Sequence, residues 1–171
     1  MKLKWALLLP SLVLSTGCDR LDSRIPGLFD WESSVLAREP FVLGPQGRVF
    51  SGNGQVRSRG DASVCVVLRK DYPLQHQPRM DRDFASLVHG ARMTVEVTDQ
   101  TGRVHAFEGV NQTWSQYGEV STGPELSACA HAPRGELPDG TVIRTIQLKS
   151  DTPLPVQGAW WHTQPGDGSS P

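Results

Sequence analysis

Cysteine is scarce in this chain of 171 residues: there are three, at positions 18, 65 and 129. Thiols this far apart exclude the Cys-x-x-Cys spacing of zinc ribbons and redox motifs. Neither sign of charge dominates, with 17 Lys and Arg against 18 Asp and Glu. That balance leaves no footprint for nucleic acid or an anionic lipid surface. No apolar run approaches the roughly 20 residues that a membrane-spanning helix needs. The sequence also lacks GxSxG, HExxH and a GxGxxG opening a helix, so no catalytic motif stands out and no cofactor is implied. It has no internal repeat.

What is present begins at the N-terminus, MKLKWALLLPSLVLSTGC. Lys2 and Lys4 favour keeping that end on the cytoplasmic side of a membrane. The apolar stretch from Trp5 to Leu14 is too short to span and has the length of a secretory signal core. Small residues, Ser15, Thr16 and Gly17, then lead into Cys18. This arrangement resembles the lipobox of bacterial lipoproteins, with Ser15 where a branched aliphatic is usual. The resemblance covers about a tenth of the chain. It implies cleavage before Cys18, lipid on its thiol and acylation, typically palmitate, of the new terminus. Several acyl chains would hold the protein stably, since each buried methylene adds about 0.8 kcal/mol. Asp19, directly after the cysteine, resembles an inner-membrane retention signal and favours the inner membrane over the outer. The expected location is therefore the cell envelope, anchored and facing the periplasm.

Processing would leave 154 residues, enough for one domain with a core. The signal takes two lysines with it, so 15 basic side chains face 18 acidic ones and the formal charge becomes −3. With Cys18 lipidated, Cys65 and Cys129 remain in a compartment that permits disulfides. A bridge between them is expected, the alternative being two buried thiols. It would close a loop of about 65 residues, worth about 4 kcal/mol in chain entropy.

The rest of the chain has 17 glycines and 13 prolines falling between short apolar runs, the pattern of many strands joined by turns. Residues 18–31 read as a tether, 32–163 as the domain and 164–171 as a disordered tail. Pro40 divides 35–43 into an edge strand or two short pieces. Gly52-Asn53-Gly54 reads as a hairpin tip between 48–51 and 55–59. SVCVVLR at 63–69 is apolar on both faces and reads as a buried strand. A short helix is expected over 83–89. Residues 92–98 alternate, with Met93, Val95 and Val97 inward, and pair back through 103–110. Strands follow at 111–120, 126–131, 141–149, with Val142, Ile146 and Leu148 on one face, and 156–163 beyond the prolines at 153 and 155. The predicted fold is a single antiparallel β-sandwich with at most one short helix; a small β-barrel is the alternative.

Three readings of function compete. The first is a non-enzymatic binding or structural lipoprotein acting towards another envelope protein. The second is a carbohydrate-binding module that uses Trp114, Tyr117, Trp160 or Trp161, aromatic side chains suited to flat sugar faces and to partners. Trp160 and Trp161 are adjacent on a strand, so they must point to opposite faces. The third is a periplasmic hydrolase or metalloprotein built on 70–89, where His76, Asp81 and Asp83 gather imidazole and oxygen ligands within a few residues.

Overall fold

The computed structural model describes residues 32–52, 56, 62–73, 77–116 and 118–163. Cys18, the tether, the 53–54 turn residues, His76, Tyr117 and the C-terminal tail lie outside the described residues. In chain order the elements are β1 (Glu32–Ala37), β2 (Phe41–Leu43), β3 (Arg48–Ser51), β4 (Ala62–Lys70), α1 (Gln77–Val88), β5 (Met93–Asp99), β6 (Val104–Glu108), β7 (Asn111–Ser115), β8 (Glu125–His131), β9 (Ile143–Ser150), β10 (Leu154–Val156) and β11 (Gly158–Thr163). Every pairing is antiparallel. One sheet runs β1-β11-β4-β8-β7, a second runs β3-β9-β5-β6, and a two-stranded ladder joins β2 to β10. Neither large sheet closes on itself, so the architecture is a β-sandwich and not a barrel.

Strict alternation drives the packing. On β5, Met93, Val95 and Val97 are buried while the residues between them are half-buried, and on β6 His105 and Phe107 turn in. From the five-stranded sheet, Val64, Val66, Leu68, Ala128, Ala130 and Trp161 meet Val95, Val97, Phe107, Ile146 and Leu148 in one core. β4 is buried on both faces from Ala62 to Leu68, as its unbroken apolar run demands.

Three expectations shift. The helix begins at Gln77 rather than Asp83, because Pro78 is compatible with a first helical turn. Met80, Phe84, Leu87 and Val88 then form its apolar face. β3 pairs with β9, and Gly52 N donates to Arg144 O and Val56 N to Thr141 O; the rest of the expected hairpin partner, 55–59, lies outside the described residues. A register shift between Thr98 and Asp99 inverts the parity of β9 before Ile146, which buries Ile143 and leaves Val142 exposed. Finally, Pro155 sits inside β10 opposite Val42, tolerated because that ladder has only two strands.

Candidate functional site

The chemistry of interest gathers on the outer face of the five-stranded sheet. Register stacks it in rows across neighbouring strands. Trp160, Cys65 and Cys129 lie side by side on β11, β4 and β8, and so do His162, Ser63 and His131 one step further along. Cys65 and Cys129 are bonded, with their Cα atoms 4.0 Å apart across the β4–β8 pair. They form an apolar cluster with Val67, Val120 and Trp160, against which Val35 packs.

A loop folds back over this face because a buried carboxylate holds it. Glu125, 1% exposed, accepts the backbone N–H of Val120 at 3.1 Å and Ser121 at 2.6 Å on Oε1, and of Glu119 at 3.2 Å on Oε2. Three donors satisfy a charge that would otherwise be costly to bury. Val120 is thereby pressed onto Gly158, where an added Cβ would lie 2.5 Å from Val120 Cγ1 and 2.6 Å from the Ala37 carbonyl oxygen. Arg38 Nη1 donates to the Val120 carbonyl at 3.3 Å.

Between this loop, β7 and the two histidines lies a recess of about 310 Å³, at the lower end of small-ligand sites. Its walls carry Ser63, Thr113, Ser115, Glu119, His131 and His162, and Trp114, Trp160 and the disulfide cysteines also line it. The Trp160 and His162 rings meet edge-to-face with centroids 6.0 Å apart. Burial holds the His162 imidazole below the usual histidine range; the Glu119 carboxylate pulls the other way, and His131 adds to the depression. The Trp160 indole N–H is buried with no acceptor among the described residues. The Trp114 indole N–H is in the same position, and such an orphan donor costs about 1–3 kcal/mol.

Of the aromatic residues singled out from sequence, Trp114 and Trp160 both line the recess and Trp161 does not. Trp161, 2% exposed, fills the sandwich core, while Trp160, 7% exposed, turns to the recess. Trp114 packs against Leu126, Tyr72 and Met80 beside the helix. Asp81 and Asp83 stand two apart on α1 and so on different faces. Asp83 accepts the Tyr72 hydroxyl at 2.8 Å, and no metal-ligand cluster of three or more His, Cys, Asp or Glu occurs among the described residues.

Sequence reasoning missed a second polar cluster. His105, 1% exposed, places Nε2 3.1 Å from Asp99 Oδ2 and Nδ1 3.3 Å from Glu136 Oε1. Asp99 Oδ1 accepts the Thr101 hydroxyl at 2.6 Å and the Thr101 and Arg103 amides. The Thr101 hydroxyl bond above all holds the Asp99 carboxyl well below the usual range; burial opposes it, and the His105 bond adds to the depression. The signal was parity: alternation that sends Phe107 inward sends His105 with it. This cluster ties the β5–β6 hairpin to the 132–140 segment. No protein-family model, no curated protein and no solved structure matches this chain.

Proposed function

We propose that the mature chain is a lipid-anchored, non-enzymatic binding module of the bacterial envelope, held through Cys18 and facing the periplasm. It engages another envelope component, in the first instance a protein, with the outer face of its five-stranded sheet. The observation that supports this most is the recess at Trp160, a concavity walled by hydroxyls, imidazoles and a carboxylate with tryptophan and the disulfide beside them. A concave, partly apolar site with a few placed polar groups is what ligand binding requires. The lipobox-like STGC supports the anchoring.

Photo-crosslinking in intact cells tests the reading. A crosslinker placed at Thr113 and one placed at His131, on different strands at the recess, should capture the same companion. One at Gln147, on the other sheet, should capture none. Capture that is equal from both sheets, or absent from both recess positions, would dismiss this surface as the binding face. Anchoring is tested separately: labelled palmitate should enter the protein, and Cys18→Ser should abolish that and shift the protein to the soluble fraction.

A further inference from the structure

We propose that the partner adds a strand to the open side of β7, an extended and uncharged peptide segment that pairs with Asn111–Ser115 through main-chain hydrogen bonds at the rim of the recess. This deepens the reading above and rests on the five-stranded sheet carrying the binding face. A strand at the border of a sheet leaves half of its N–H and C=O groups turned outward, a template for any extended chain that meets it. Folded proteins blunt such borders with charge, proline, a bulge or an inward-pointing charged group. The other borders of this molecule are blunted. β1 has a register shift between Val35 and Ala37. β3 carries Arg48, whose guanidinium lies 4.4 Å from the Phe41 ring centroid. β6 carries Glu108 and turns His105 inward onto Asp99. The β2–β10 ladder is three pairs long and holds Pro155. β7, Asn-Gln-Thr-Trp-Ser, has none of these devices, and its register with β8 runs unbroken from Asn111 to Ser115. Among the described residues no strand pairs with its other side, and no backbone–backbone hydrogen bond joins Asn111, Gln112, Thr113 or Trp114 to anything but β8.

The side chains of β7 state what the added strand must be. Residues opposite each other on paired strands point to the same face and pack together. On the inner face Trp114 packs with Leu126, Tyr72 and Met80, so the residue beside it is β-branched or aromatic. On the outer face Thr113 lines the recess, and Asn111 shares that face. Residues beside those two are small and hydroxyl-bearing, since Thr–Thr pairs are favourable. β7 has no charged side chain to receive a charge, and a proline would cost the ladder a donor. The partner segment therefore alternates apolar and hydroxyl-bearing residues.

The test is hydrogen exchange followed by NMR on the full chain in detergent, with a short capped peptide of alternating threonine and valine as the probe. N-methylation at every second residue leaves the probe one edge of donors and stops it stacking on itself. This probe should slow the outward amides of Asn111–Ser115 about tenfold or more, while the amides of β1, β3 and β6 keep their rates. The same peptide methylated at every residue keeps the side chains but no donors, and should bind about tenfold more weakly or worse. Thr113→Lys gives β7 the charge that other borders carry and should weaken the probe about fivefold; Val104→Lys, on β6, should leave it unchanged. The pair of peptides keeps the test open if the Thr113 variant folds poorly. No protection of β7 at millimolar probe, or equal binding of the two peptides, would overturn the added strand. Protection of β7 that grows with protein concentration in the absence of probe would put a second copy on that edge and overturn the foreign segment. A companion captured from both Thr113 and His131 in cells, with β7 left unprotected by the probe, overturns the strand alone. A protected β7 with no companion captured overturns only the envelope partner.

Discussion

Trp160 and Trp161 are neighbours of identical chemistry with opposite duties, and substitution should separate them. Trp161→Ala empties the centre of the core and should cost about 3–5 kcal/mol in chemical denaturation. Trp160→Phe removes an N–H that has no acceptor among the described residues, a relief that offsets the packing lost with the smaller ring, and should change stability by less than about 1 kcal/mol. A large loss from the second would mean that the indole N–H is bonded in solution. Asp99 gives a pH signature. Its folded carboxyl is depressed, chiefly by the Thr101 hydroxyl, so its stabilisation is present above the unfolded value of about 3.9 and fades as the pH falls through that value towards the folded one. Thermal unfolding should therefore drop more steeply below about pH 4 in the natural protein than in Asp99→Asn, and parallel curves would assign the acid sensitivity elsewhere.

The loop that follows β7 is the element on which the recess depends. Glu125→Ala would strand three backbone donors, and should cost about 3 kcal/mol while opening 118–124 to proteases. Glu125→Gln keeps one acceptor oxygen and should recover part of the loss. Equal protease resistance in all three proteins would show that Val120 and Gly158 hold the loop without the carboxylate. At this scale the strands were largely legible: alternation on β5 and the doubly apolar β4 fixed their faces and with them the two-sheet architecture. Pairing was not, because β3 and β9 are separated by nearly the whole domain and nothing local in Arg48–Ser51 specifies a distant partner. The bulge that exposes Val142 was hidden for the same reason, since it resides in the register between strands. The recess was legible only in fragments. Opposite facing of Trp160 and Trp161 follows from a period of two, but the row of His162, Ser63 and His131 needs three strands that meet only in the fold.

Across the whole molecule, the bond between Cys65 and Cys129 closes a span of 64 residues and joins the central strand of the larger sheet to its neighbour. Replacing both cysteines by alanine should lower stability by about 4 kcal/mol, a large part of what a domain of this size possesses. Calorimetry showing an unchanged midpoint would mean that the paired strands hold without the link. The edge pairing has a further consequence. Glu32 lies opposite Thr163, and Ser33 opposite His162, so the first and last described residues of the domain emerge together at the end of the sheet where the histidines sit. A lipid on Cys18 would then act as a leash of 14 residues, at most ~50 Å when fully drawn out, fastened beside the mouth of the recess. Were the chain so anchored, anything bound there would be met close to the bilayer, and a bulky reporter fused after the final strand would crowd that mouth rather than hang harmlessly on the far side.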